Sequence, residues 1–234
     1  MDQAGPAEMI ATPHGSAPVR WRRSARARRV SLRIDPRVGA VVVTLPLRVG
    51  RRQGLDLLQT HSAWVMDRLA ALPPATPFVA GAVVPVGGRP LRIVHAPQAR
   101  GAAWLDGETI QVAGDAAHLS RRVGDFLRAE AKRRIAPLVM AKAVGATRRP
   151  VRIGIKDTRS RWGSCAPDGT LAFSWRLVMA PPEVLDYVVA HEVAHLTYMN
   201  HGPRFWALVN TLTPHTEPAK AWVAAHGARL LRYG

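Results

Sequence analysis

The chain has 234 residues, room for one large domain or for a small one beside a catalytic one, so a staple-dependent miniprotein is excluded. Apolar residues make up 47% and charged residues 21%, a globular balance that excludes wholesale disorder, and no apolar run approaches the ~18 residues of a membrane span. Thirty-three Lys and Arg against 16 Asp and Glu give a net charge of +17, and 29 of those cations are Arg, which favours planar, bidentate partners such as phosphate. Such a field draws nucleic acid, anionic lipid or acidic protein. The arginines are nevertheless spread along the chain, so a composition bias explains them as well, and charge alone assigns no function. A single cysteine, Cys165, excludes an internal disulfide and a thiolate metal cluster. The N-terminus has neither the basic start nor the apolar stretch of a secretory signal, and a cytoplasmic protein with no membrane partner is expected.

Residues 1–19, rich in Ala, Gly and Pro, are expected to form a flexible tail. Next come two β-branched runs, residues 30–34 and 40–45, separated by the turn chemistry of Asp35 to Gly39 and predicted to form a hairpin. Leu55, Leu58, Trp64, Val65 and Leu69 recur at helical spacing between Arg51 and Leu72, until Pro73-Pro74 stops them. Short β-like pieces then fill residues 75–116, and a long amphipathic helix runs from Leu119 to about Val144, with Pro137 expected to kink it. Residues 151–156 and 170–175 read as a second sheet, followed by three helical segments. The expected architecture is α+β. A flexible tail (1–19) precedes a β-rich N-terminal portion with one helix (20–116), packed on a C-terminal portion (117–234) with a buried helix and a short antiparallel sheet.

The chemistry lies in His191-Glu192-Val193-Ala194-His195. On a helix, positions i and i+4 lie one turn apart on one face, so two imidazoles can converge on one ion. Pro181-Pro182, with Glu183 and Asp186 in the first turn, starts such a helix, and Asn200-His201-Gly202-Pro203 ends it. On a wheel of about 100° per residue, Leu185, Val189, Val193 and Leu196 form one apolar stripe. Val184 and Val188 share the arc of the two histidines, so the helix must be buried on two sides, where unpaired imidazoles would be costly. His201, six residues beyond His195, supplies the third ligand that a hydrolytic zinc site needs. Metzincins use the same ligand spacing, but with Gly where this chain has Tyr198. At this composition the pentapeptide arises by chance in about one chain in a hundred, and the added histidine makes chance rarer still. Glu192, beside the first ligand but turned away from the ion, fits a general base for the attacking water, and the implied reaction is amide hydrolysis.

Residues 161–165 (RWGSC), 171–196 (LAFSWRLVMAPPEVLDYVVAHEVAHL) and 200–209 (NHGPRFWALV) resemble the YgjP-like metallopeptidase family, a bacterial relative of the SprT-like and WLM zinc peptidases. The strongest motifs run from Arg159 to Val209, and the order of the preceding segments is similar too. The resemblance implies a zincin-like C-terminal portion, His191, His195 and His201 as ligands of one zinc ion, Glu192 as catalytic acid/base, and a peptide or protein substrate. Gly202 departs from the Ser usual after the third histidine, which bears on capping and not on the ligands.

Asp168-Gly169 predicts a hairpin joining a strand over Arg161–Cys165 to one from Thr170. Such an edge could hold an extended peptide, and Arg161 could grip a carboxylate or polarise a carbonyl; a core Trp162 with a structural Arg161 is the equally weighted alternative. Tyr198 could donate to an oxyanion, though its place on the wheel favours packing. Cys165 reads as a small buried apolar residue. A second class of function is a basic nucleic-acid-associated protein, with residues 20–30 (RWRRSARARRV) on phosphate and the zinc structural, or with a peptidase directed to DNA-bound proteins. Three histidines beside a glutamate argue against a closed structural site, which takes four ligands.

Overall fold

A computed structural model describes residues 6–158 and 161–234, so Met1 to Gly5 of the expected tail, and Arg159 at the start of the strongest motifs, lie outside the described residues. The chain divides into two compact units, residues 1–74 and 75–234.

The first unit is a four-stranded sheet with two helices. Strands β1 (Glu8–Thr12), β2 (Gly15–Ser24), β3 (Ser31–Asp35) and β4 (Ala40–Pro46) take the order β1-β2-β4-β3. The expected hairpin is β3–β4, antiparallel with Leu32 opposite Val43 and Ile34 opposite Val41; its turn includes Gly39 at φ +62°, a conformation that suits glycine. Within the described part of the expected tail the expectation is corrected: residues 8–12 are a strand and a second strand begins at residue 15. Composition hid this because Ala17 and Val19, fully buried on the core side of β2, are small, and β2 gains its place by parallel pairing with β4 rather than by local signals. The expected single helix over 51–72 is two, α1 (Arg51–Thr60) and α2 (Ser62–Ala70). At the break, the Thr60 and Ser62 hydroxyls donate to the carbonyls of Asp56 and Gln59. Leu58 and Val65 close the core over Val41, Val43 and Leu45.

The second unit begins well before residue 117. Strands β5 (Val83–Val86), β6 (Arg89–Ala96), β7 (Ala103–Asp106) and β8 (Thr109–Ala113) form a sheet of order β5-β6-β8-β7. Its inward residues, Val84, Ile93, Ile110 and Val112 among them, share one core with the C-terminal helices. The boundary expected at 116/117 therefore falls at 74/75, because these short strands bury their apolar face against the C-terminal helices and not within the N-terminal portion. Helix α3 (Leu119–Lys142) runs through Pro137 and buries Val123, Leu127, Ile135 and Val139.

Strands β9 (Arg152–Lys156), β10 (Gly163–Cys165) and β11 (Thr170–Ser174) form the sheet beside the candidate site, in the order β10-β11-β9. The expected hairpin is β10–β11, closed by Asp168, whose carboxylate accepts from the Thr170 N–H at 2.8 Å, and by Gly169 at φ +88°. The sheet is mixed rather than antiparallel: β9 pairs parallel with β11, which places Ile153 and Ile155 opposite Leu171 and Phe173. Arg161 precedes β10 instead of belonging to it.

A 3-10 helix, Trp175–Met179, leads to α4 (Pro182–Ala194), α5 (Pro203–Leu212) and α6 (Thr216–Leu230). The α4 helix starts where Pro181-Pro182 places it and is buried on two sides, with Val184, Leu185, Val188, Val189 and Val193 all inside. It ends at Ala194, earlier than expected, as the N–H groups of Thr197 and Tyr198 both turn back to the Ala194 carbonyl. Among the described residues no helix is long and apolar enough to cross a membrane.

Candidate metal centre and active site

Three imidazoles converge at the C-terminal end of α4. His191 lies in its last turn, His195 caps it, and the short return through residues 196–200 brings His201 back before Pro203 starts α5. The ring centroids form a near-equilateral triangle: 5.0 Å for His191–His195, 5.1 Å for His191–His201 and 4.8 Å for His195–His201. One nitrogen from each ring lies within 4.8 Å of the other two, a group able to hold a metal ion.

The surroundings orient the rings and favour the neutral form of His191 and His195. His195 Nδ1 lies 2.9 Å from the Tyr198 carbonyl; donating to it leaves the Nε2 lone pair free. Phe205, fully buried on α5, stacks on His195 at 4.6 Å and meets His191 edge-on at 5.0 Å. Burial, reinforced by His195, His201 and Lys220, lowers the His191 pKa to about 4, and burial also depresses that of His195 against the opposing Tyr198 hydrogen bond. Neutral imidazole is the form that ligates a metal. His201 Nε2 and His191 Nε2 face each other at 3.2 Å, while the buried Nδ1 of His191 has no partner among the described residues. A donor set of three imidazoles, two of them meeting nitrogen to nitrogen, fits a divalent cation.

Glu192 follows the first histidine and is 6% exposed. Burial raises its carboxyl to about 7, with Arg161 acting in the opposite direction. The wall opposite is Gly163 of β10: a Cβ there would lie only 2.5 Å from Glu192 Oε1, so no larger residue fits without displacing the carboxylate. That close approach is the role of the glycine in RWGSC, and the residue type was its one sequence signal.

A cavity of about 590 Å³ opens over these groups, with the three histidines and Glu192 on one side and Gly163, Ser164 and Cys165 of the outer strand β10 on another. Arg161 and Trp162 line it as well, as do Tyr187, Met199 and Lys220. Arg161 thus stands at the site, exposed at its rim. Tyr198 does not line the cavity; half-buried against the core, it contributes its main-chain carbonyl to His195. That main-chain role carried no sequence signal. Cys165 is half-buried, and burial raises its thiol pKa, an environment that disfavours the reactive thiolate. Lys220, which stacks on Trp206 at 4.2 Å and bonds Glu217 at 2.9 Å, is a cavity residue that the sequence did not single out, because α6 carries no motif.

The model of the YgjP-like metallopeptidase domain matches residues 28–226. No curated protein and no solved structure matches the chain. With that match spanning most of its length, the chain belongs to the YgjP-like metallopeptidase family.

Proposed function

We propose that the protein is a zinc-dependent peptidase of the cytoplasm, with His191, His195 and His201 as ligands of one ion, Glu192 as general base and then general acid, and an extended peptide as substrate. One observation carries the reading: three imidazole nitrogens within 4.8 Å of one another border the same cavity as a buried carboxylate. Two nitrogens bound to one tetrahedral zinc at about 2.05 Å would lie about 3.3 Å apart, close to the 3.2 Å between His191 Nε2 and His201 Nε2. Three ligands leave a position open, as catalytic zinc requires and structural zinc does not. Zinc held there supplies a Lewis acid that polarises the scissile carbonyl and makes water acidic enough to lose a proton near neutral pH.

The protein groups do the remainder. Glu192, for which Gly163 leaves room, accepts a proton from the attacking water and returns it to the departing amine nitrogen. In the metal-free chain burial raises its carboxyl pKa to about 7, and a nearby cation acts in the opposite direction by favouring the carboxylate that accepts the proton. Among the described residues β10 is the outer strand of its sheet and borders the cavity, so a peptide can add to it as a further strand. Arg161 at the rim then takes a substrate carbonyl or carboxylate, and Tyr198 acts as a positioning residue through its carbonyl. The test is Glu192→Gln assayed on unfolded casein: hydrolysis falls at least about a thousandfold while bound zinc is retained, and activity equal to the parent removes the assignment.

A further inference from the structure

The fold of the residue 1–74 unit gathers arginines that lie apart in sequence. Residues 20–52 hold eleven arginines and one carboxylate, Asp35. Strands β2 and β4 run parallel, with Ser24 opposite Pro46, and β3 runs back along β4 from Ser31 opposite Thr44. The turn 25–30 and the segment 47–50 therefore leave the sheet at the same end. That end carries Arg23, Arg26, Arg28 and Arg29 from one side of the sequence and Arg48, Arg51 and Arg52 from the other.

Two of these seven have internal duties. Arg23 donates to the carbonyls of Leu47 and Val49 at 2.8 and 3.3 Å, holding the second segment against the first. Arg51 bonds Glu8 and stacks on Trp21 at 4.4 Å. The other five, Arg26, Arg28, Arg29, Arg48 and Arg52, are exposed and have no carboxylate partner among the described residues. An ordinary solvated face intersperses both signs of charge. Here the one acidic side chain within 20–52, Asp35, is buried and pairs with Arg33 at 3.7 Å, and Glu8 is engaged by Arg51, so among the described residues no carboxylate is paired with any of the five.

We propose that this end of the sheet binds the phosphate backbone of nucleic acid without sequence preference, through Arg26, Arg28, Arg29, Arg48 and Arg52. All twelve cations of residues 1–74 are arginine, the side chain whose planar fork matches phosphate bidentately. With neighbouring strands about 4.8 Å apart, the patch from β2 across β4 to β3 is about 10 Å wide, enough to span several phosphates of a duplex, which presents one charge per about 1.7 Å of axis. Leu47 is the one large apolar side chain exposed among these arginines, so the surface lacks both the apolar core of a protein interface and the apolar face of a membrane-surface element. Bound in this way, the enzyme would meet proteins attached to nucleic acid at high local concentration.

The test is fluorescence titration of a labelled DNA duplex of about 20 base pairs with the full chain, parent and Arg26→Gln/Arg28→Gln/Arg29→Gln, as a function of salt. These three residues lie in an exposed turn, and Arg23 and Arg51 stay in place to hold the fold. Five phosphate contacts predict a slope of log affinity against log salt near about −4.5, so that raising salt from about 50 to about 200 mM weakens binding several hundredfold. The triple variant flattens the slope to about −2 and leaves hydrolysis of a short free peptide unchanged. No binding by the parent at about 50 mM salt, an equal slope in parent and variant, or tighter capture by vesicles of anionic lipid than by the duplex would overturn the proposal. Because the readout is binding, its failure leaves the metal centre untouched, and failure of the peptidase reading leaves this surface untouched.

Discussion

Replacing Glu192 by Gln should stabilise the protein while removing its chemistry, and burial sets the size of the effect. The carboxyl is 6% exposed, and its pKa rises from an ordinary value of 4.5 to about 7 because ionising it inside the cavity wall forfeits hydration that Arg161 only partly replaces. With the folded pKa above the unfolded one, the neutral carboxyl favours the fold. Stability from this group is therefore complete below pH about 4.5 and is lost as pH climbs through about 7. At about 1.4 kcal/mol per pH unit, the ionised carboxylate costs the metal-free fold about 3 kcal/mol. Glutamine has the same shape, fits the space beside Gly163 and never ionises. In urea denaturation of chelator-treated protein, Glu192→Gln should gain about 1 kcal/mol over the parent at pH about 5 and about 3 kcal/mol at pH about 8.5. A gain that does not change between these two pH values would refute the claim that a buried, costly carboxylate faces the metal centre.

The remaining predictions concern the walls of the site. Gly163→Ala pushes a methyl group into Glu192, and should cut casein hydrolysis at least about tenfold with loss of about 1–3 kcal/mol of stability; unchanged turnover would show that the close approach is unimportant. Phe205→Ala empties a fully buried site behind His195 and His191, and should cost about 3–5 kcal/mol by denaturation and weaken metal retention in a chelator competition. Cys165→Ser should keep hydrolysis within about twofold of the parent, because burial holds the thiol protonated and water supplies the nucleophile.

Much of the site could be read from sequence because its residues are close together: positions 191, 192 and 195 occupy two helical turns, and the prolines at 181 and 182 mark where those turns begin. The β3–β4 and β10–β11 hairpins were legible for the same reason, each closing through a short turn that contains Gly39 or Gly169. The features that escaped depend on distant partners. Strand β2 is specified by parallel pairing to β4, with β3 intervening in the chain, and the strand expected over 151–156 forms as β9 but pairs parallel with β11; neither parallel pairing leaves a turn signature. The same holds for the unit boundary, since β5–β8 look self-contained until their apolar face is seen packed with Leu127 and Val189. Gly163 and the Tyr198 carbonyl act through the absence of a side chain and through the main chain, where residue type says little.

Three imidazoles serving one ion are the centre of the proposed chemistry, and zinc content tests that most directly. Purified protein analysed by atomic emission should carry one zinc per chain, and His201→Ala, which removes the exposed ligand and leaves the buried α4 helix intact, should lose it on mild dialysis. A parent chain that binds no zinc when supplied with it, or a His201→Ala variant that holds zinc as tightly as the parent, would contradict a three-histidine centre.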